Sequence, residues 1–135
     1  LVGSEMCIRD RYKAGDQFTE GGKPVNGKRD ICDIYAIMYE TSESVPTLDG
    51  TNAFTSPNLI STARINNAKE TNEWTYFKLP FTTLPGKFID KEKLMDGKYN
   101  IAIVFTSSLE GDRFNGAIGS TLLIDEAELI YHSED

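Results

Sequence analysis

Five short segments show the residue pattern of β-strands, and no segment of the chain has a convincing helical pattern. These segments are residues 31–39, 59–65, 74–81, 99–106 and 121–131. Stretches rich in glycine, proline and charged residues separate several of them, which is typical of loops. With 135 residues the chain has room for one small domain. The pattern therefore predicts a single all-β sandwich.

The individual segments predict different positions in the sheets. Segment 31–39 is apolar on both alternating faces, which favours a strand covered on both sides over the competing helix. Segment 99–106 predicts a second central, buried strand. The strand in 74–81 should end, bulge or lie at an edge at Pro80, because proline donates no ladder hydrogen bond. Residues 88–97 predict at most one helical turn.

The opening segment 1–11, LVGSEMCIRDR, resembles translated sequencing-adaptor read-through in proteins from metagenomic assemblies. Under this interpretation residues 1–11 are not native, and residues 12–135 form the partial β-sandwich domain. Residues that were not selected to fold should make almost no long-range contacts. A genuine but irregular N-terminal segment is the alternative.

Charge and composition exclude several classes of partner. The net charge is −7 and the sequence pI is near 4.7, so nucleic acid and anionic membrane surfaces would be repelled. The longest apolar run, 101–105, is far shorter than the roughly 20 residues of a membrane-spanning helix. The two cysteines form neither a zinc pattern nor a disulfide framework.

No enzyme motif is present, so the sequence predicts a protein without catalytic activity. The single histidine, His132, lies at the C-terminal end, and no GxSxG motif accompanies it. The segment GDRFNG lacks the Gly-Lys-Ser/Thr ending of a phosphate-binding loop. A glycoside hydrolase needs two carboxylates about 5 to 10 Å apart, and 21 acidic residues supply too many pairs to choose among.

Aromatic side chains are the candidate sugar contacts, because the C–H groups of sugar rings stack on aromatic faces. Trp74 and Tyr76 lie on the more polar side of their segment, and Phe114 lies in a glycine-bearing loop. Packing in the core is the alternative for Trp74 and Tyr76. The polar residues predicted to assist are Asn52, Asp112 and Arg113.

Two aspartates, Asp33 and Asp125, interrupt apolar strand segments, where an unpaired carboxylate is costly. Together with the oxygen ligands of Asp49, Asn52 and Asp112 they could hold a structural calcium ion, which takes 6 to 8 oxygens. Hydrogen-bonded or salt-bridged structural aspartates are the alternative. No other cofactor is predicted.

The segments ICDIYAIMYE, EWTYFKLPF and GKYNIAIVFTSSLEGDRFNGAIGSTLLIDEAELIY resemble the putative carbohydrate metabolism domain family. The resemblance covers most of residues 12–131. It implies a jelly-roll-like β-sandwich, an extracytoplasmic location in a secreted protein or lipoprotein, and a role in recognising or processing glycans. It implies no established catalytic residues. It also implies that strands preceding Tyr12 are missing, so that the sandwich is truncated at its N-terminus.

These features predict a non-catalytic glycan-binding or glycan-associated accessory domain whose partner is a glycan. A structural or adhesive spacer module is the first alternative, and a glycoside hydrolase is the second. An exposed aromatic flanked by polar groups on a concave face favours binding, whereas buried aromatics and a convex polar surface favour the spacer. A hydrolase requires two carboxylates that converge in one cleft.

Overall fold

The structure is a computed structural model that describes residues 3–49 and 52–131, and it confirms an all-β sandwich. The strands, in chain order, are β1 Glu5–Lys13, β2 Phe18–Glu20, β3 Lys23–Pro24, β4 Asp33–Glu40, β5 Leu59–Arg64, β6 Thr75–Pro80, β7 Thr82–Thr83, β8 Tyr99–Thr106, β9 Asn115–Ala117 and β10 Thr121–Ile130. One short helix, α1, spans Lys91–Met95, which confirms a single helical turn in 88–97. Within the described residues no helix is long and apolar enough to cross a membrane.

Two antiparallel sheets pack face to face. The three-stranded sheet has the order β10-β1-β6, and the four-stranded sheet has the order β7-β5-β4-β8. The short strands β2, β3 and β9 form a third, separate sheet with the order β3-β2-β9. The core between the two larger sheets joins Met6 and Ile8 of β1 to Ile34 and Ala36 of β4.

Strand β4 is buried on both faces, as the sequence predicts. Ile34 and Ala36 point into the core between the sheets. Tyr35, Ile37 and Tyr39 point to the opposite face, where Leu48 and Ala53 of the connection between β4 and β5 cover them. The second layer of apolar packing explains why this strand lacks a polar side.

Strand β8 has the predicted bounds, but the prediction of a central, buried position is wrong. It is the last strand of the four-stranded sheet, and Asn100, Ile103 and Phe105 are exposed. An apolar strand pattern shows that a strand can be covered, but it does not show how many neighbours the strand has. Strand β6 is also an edge strand, and it ends at Pro80 as predicted.

The prediction that residues 1–11 make almost no long-range contacts is wrong for the part that forms β1. This strand lies in the centre of the three-stranded sheet, paired with β10 on one side and β6 on the other. Met6 and Ile8 alternate with more polar neighbours, and this two-residue period suits a strand that faces the core. An adaptor origin for residues 1–11 stays a hypothesis.

One residue of β1 fits its position poorly. Asp10 is buried, and its Oδ1 atom has no hydrogen-bond partner among the described residues. Burial raises the pKa of this carboxyl above its usual value of 3.8. The charged form of Asp10 therefore destabilises the folded state.

Replacing Asp10 with valine is expected to raise the free energy of unfolding at pH 7 by about 1–3 kcal/mol, the cost of an unsatisfied buried polar group. Because the pKa is raised in the folded state, Asp10 destabilises the folded protein least at a pH below its unfolded pKa, where the carboxyl is protonated. The destabilisation is greatest at a pH above its folded pKa, where the carboxyl is charged. The stability gap between Asp10→Val and the unsubstituted protein should therefore narrow as the pH falls from 7 towards 4. Urea denaturation at several pH values measures it.

The control is Asp16→Val, at an exposed position, which should leave the free energy of unfolding nearly unchanged. A constant gap for Asp10→Val between pH 7 and pH 4 would contradict a buried, charged carboxylate at this position.

Candidate functional site

A groove of about 570 Å³ lies on the face of the four-stranded sheet that points away from the other large sheet. Its floor is formed by Tyr35 of β4 with Arg64 of β5 and Val104 of β8, which lie opposite Tyr35 in the strand register. Asp33 and Thr106, also opposite each other, extend the floor towards the ends of β4 and β8. The regular pairing of three strands thus places these side chains on one surface.

Two loops form the walls of the groove. Phe54, from the connection between β4 and β5, forms one wall, and the segment 108–113 after β8 forms the other. The Phe54 ring meets the Tyr35 ring edge-on, with centroids 4.8 Å apart and an angle of 68° between the ring planes. Such edge-to-face contacts are favourable and fix the relative orientation of the rings.

Arg64 joins the floor to the Phe54 wall. Its Nη2 and Nε atoms donate to Asp33 Oδ2 and Oδ1 at 2.7 and 3.2 Å, a bidentate ion pair. The guanidinium carbon lies 4.2 Å from the centroid of the Phe54 ring, which is a cation–π contact. Both contacts hold the guanidinium in one orientation, with part of its surface open to the groove.

The opposite wall is anchored by a buried carboxylate. Asp30 Oδ2 accepts hydrogen bonds from Ser108 Oγ at 2.5 Å, Ser120 Oγ at 2.6 Å and the backbone nitrogen of Ala117 at 3.0 Å. The backbone nitrogen of Leu109 also donates to the carbonyl of Ile31 at 2.7 Å. The wall is thereby fixed to the start of β4, so a ligand would meet a preorganised surface.

The groove combines charged and neutral polar groups with aromatic surface. Two cations, Arg64 and Arg113, and two carboxylates, Asp33 and Asp112, line it, so neither charge dominates. Burial raises the pKa of the Tyr35 phenol, which is therefore neutral at pH 7. This arrangement suits a neutral, hydroxyl-rich ligand with one apolar face.

Nucleophilic chemistry at Cys32 is disfavoured. Burial raises the pKa of the Cys32 thiol to about 12. The thiol is therefore protonated at pH 7, whereas the thiolate is the reactive form.

The structure brings Asp112 and Arg113, both predicted sugar contacts, into the groove. Phe114 follows them directly and is largely exposed, with a φ of 59° in the left-handed region. Asn52 lies in the loop that carries Phe54, where its side-chain oxygen accepts a hydrogen bond from the backbone nitrogen of Asp49 at 2.8 Å. Asn52 and Phe114 are therefore close in sequence to the lining residues Phe54 and Arg113, but they do not line the groove themselves.

The other two predicted sugar contacts lie elsewhere. Trp74 precedes β6 in the three-stranded sheet, where Arg11 lies 5.9 Å from its ring centroid. Tyr76 of β6 is exposed and lines a second groove of about 440 Å³ with Asn66 and Lys69. The structure does not bring Trp74 and Tyr76 to the groove of Tyr35.

The predicted calcium ligands Asp33 and Asp125 do not lie together. Asp33 lies in β4 and is paired with Arg64, whereas Asp125 lies in β10 of the other large sheet. The expectation of apolar surroundings for Asp125 is wrong: the residue is exposed, next to Glu126 with a φ of 51°. Over residues 3–49 and 52–131 no group of three His, Cys, Asp or Glu side chains could hold a metal ion. His132 lies outside the described residues.

Sequence reasoning did not single out Phe54 or Arg64. Phe54 was detectable as an isolated aromatic in a polar, turn-rich segment, LDGTNAFTSPN. Arg64 was detectable as the large cation that ends the alternating segment LISTARI. That the two side chains touch depends on the path of the connecting loop, which no pattern in the sequence reveals.

Comparison with known proteins identifies relatives of the chain. The sequence matches the protein family described as "Putative carbohydrate metabolism domain" over residues 10–130. No curated protein matches the sequence.

Two crystal structures are similar to the chain. One is described as a putative glycoside hydrolase from Bacteroides thetaiotaomicron VPI-5482, with 81% identity and a TM-score of 0.95. The other is described as a putative glycoside hydrolase from Bacteroides vulgatus ATCC 8482, with 42% identity and a TM-score of 0.87. The matches cover 98% and 95% of this chain, but only 39% and 52% of the two solved chains.

Proposed function

Because the chain belongs to the putative carbohydrate metabolism domain family, we propose that the groove of Tyr35 binds a saccharide without cleaving it. The partner is a glycan, and the domain serves as an accessory module. The proposed contacts are Tyr35, Phe54, Arg64, Asp112 and Arg113.

The observation that carries the proposal is the position of Phe54 beside Arg64 and Asp33. The partly exposed Phe54 ring gives a sugar an apolar surface on which to stack. The guanidinium and carboxylate beside it offer donors and acceptors with a fixed geometry, which suits neighbouring hydroxyl groups. A flat apolar surface next to oriented polar groups is the combination that a sugar ring requires.

The ion pair between Asp33 and Arg64 supports binding without catalysis. Two carboxylates, Asp33 and Asp112, line the groove, but both oxygens of Asp33 are already bonded to Arg64. A general acid in glycoside hydrolysis has to hold a proton that it can donate. A carboxylate held by a guanidinium through both oxygens is poorly suited to that role.

Hydrolysis is the second candidate function, favoured by the presence of two carboxylates in one groove and by the descriptions of the two solved relatives. It predicts reducing ends released from a bound oligosaccharide, and loss of that activity in Asp112→Asn. Binding without product formation over hours at pH 5 to 8 favours the accessory module.

Phe54→Leu is expected to weaken saccharide binding about two- to tenfold, because aromatic contacts are worth roughly 0.5–1.5 kcal/mol and about 1.4 kcal/mol corresponds to a tenfold change. Leucine keeps apolar packing against Tyr35 but removes the aromatic face. An array of neutral and acidic oligosaccharides identifies the ligand, and isothermal titration calorimetry measures its affinity.

The matched control is Phe88→Leu, since Phe88 is exposed and lies outside the groove. Equal affinities of the two variants would contradict the groove as the binding site. Should a folded protein bind no oligosaccharide on the array, the structural or adhesive spacer becomes the better explanation. If Trp74→Leu or Tyr76→Leu weakens binding and Phe54→Leu does not, the ligand binds at the three-stranded sheet instead.

A further inference from the structure

The sandwich is closed along the side formed by β5 and β6. Inward-facing residues of these two strands, Ala63 and Leu79, are 1% and 5% exposed. They pack in the same apolar cluster as the central strands β1 and β4. On this side the inward-facing residues of both sheets are therefore covered.

The opposite side, formed by β8 and β10, is open. Phe105 and Ile103 of β8 lie opposite Ile34 and Ala36 of β4, so all four side chains point to the core face of the sheet. Ile34 and Ala36 are 0% exposed, whereas Phe105 is 39% exposed and Ile103 is 40% exposed. The apolar layer therefore continues past the cover that the three-stranded sheet provides.

The outer edge of β8 also lacks the features that protect natural sheet edges. The strand YNIAIVFT contains no charged residue and no proline. Its pairing with β4 runs from Tyr99 to Thr106 without a bulge. Edge strands are usually shortened, charged, bulged or covered, since an unprotected edge pairs with other chains. An uncharged strand of eight residues is typical of a position between two neighbours.

We propose that a further β-strand of the same polypeptide, from outside these 135 residues, pairs with the free edge of β8 and covers Ile103 and Phe105. The described part of the chain leaves both residues without such cover. The chain spans 39% and 52% of the two solved relatives, so each of those relatives contains further polypeptide of sufficient length to supply a strand. Because Ile103 and Phe105 face the core side and are partly exposed, the added strand presents apolar residues at the alternate positions beside them.

This proposal is independent of sugar binding. Ile103 and Phe105 point to the core face of the four-stranded sheet, whereas Val104 points to the groove on the opposite face. The added strand would extend the sheet beside the groove without filling it.

The test uses the product of the complete gene, in which Ile103→Cys is labelled with a maleimide under native conditions. The control is Leu94→Cys, at an exposed position in α1. We expect Ile103→Cys to react at least about tenfold more slowly, since labelling of a covered thiol requires local opening. Equal rates overturn the proposal, as does a complete gene that encodes only these 135 residues.

Amide hydrogen exchange in the unsubstituted gene product tests the same strand without a substitution. The β8 amide groups that point away from β4 should exchange as slowly as those bonded to β4. Fast exchange of the outward set overturns the proposal. Slow exchange that is confined to a dimer, and is lost when the dimer is diluted to monomers, shows that a second copy is the occupant and also overturns it.

Discussion

Asp30→Ala is expected to lower the free energy of unfolding by about 3 kcal/mol or more, because it leaves several buried or partly buried donors without an acceptor at once. The donors to Oδ2 are the hydroxyls of Ser108 and Ser120 and the backbone nitrogen of Ala117. A loss of this size is a large part of the roughly 5–15 kcal/mol that stabilises a typical domain. Urea denaturation followed by circular dichroism measures it.

Two further variants make the result interpretable. Asp30→Asn keeps the size of the side chain but replaces one acceptor oxygen with a donor, so it should destabilise less than alanine. Asp16→Ala removes an exposed carboxylate and should change stability by less than about 0.5 kcal/mol. If Asp30→Ala is as stable as Asp16→Ala, the buried hydrogen bonds of Asp30 do not support the fold.

The same substitution should also affect the groove. Ser108 lies in the wall of the groove, and Asp30 holds its hydroxyl. Asp30→Asn, if folded, is therefore expected to weaken saccharide binding although Asp30 itself does not line the groove. Unchanged affinity in a destabilised variant would show that the wall keeps its position without this contact.

Gly15→Ala is expected to lower the free energy of unfolding by about 1–3 kcal/mol, the usual cost of forcing extra atoms into a packed site. A Cβ atom at Gly15 would overlap the carbonyl oxygen of Ile118 and lie 3.0 Å from the Cβ of Ala117. The backbone at Gly15 cannot easily retreat, because its nitrogen donates to Ser120 Oγ at 3.0 Å. Thermal unfolding measures the loss.

The matched control is Gly111→Ala in the groove wall. A Cβ atom there would meet only the Cβ of Ser108 at 3.6 Å, an ordinary contact. The control should change stability by less than about 0.5 kcal/mol. Similar melting temperatures for the two variants would contradict the close approach of Gly15 to Ile118.

The longer strands could be predicted from the sequence because alternation of apolar residues is visible over six or more positions. Strands of two or three residues, such as β2, β3, β7 and β9, are too short to show that pattern. Strands β2, β3 and β9 lie in glycine-bearing stretches, for which the sequence pattern predicts loops. Strand β1 was discounted because its sequence resembled an adaptor, although its alternation suits the centre of a sheet.

The site was only partly predictable. Asp112 and Arg113 could be chosen as polar residues in a glycine-bearing loop. The contact of Arg64 with Asp33 depends on the antiparallel register of β4 and β5, and the contact with Phe54 depends on the path of a long connection. Register and loop path arise from tertiary packing, so local patterns do not reveal them.

The burial of β4 on both faces limits how the groove can change during evolution. Asp33 and Tyr35 belong to a strand that is buried on both faces, so substitutions there disturb the packing of the domain as well as the floor of the groove. Phe54 and the segment 108–113 project from loops, where sequence changes are better tolerated. New ligand preferences in this lineage should therefore arise by exchange of loop residues around a constant floor, and directed evolution of the groove would best randomise the two loops first.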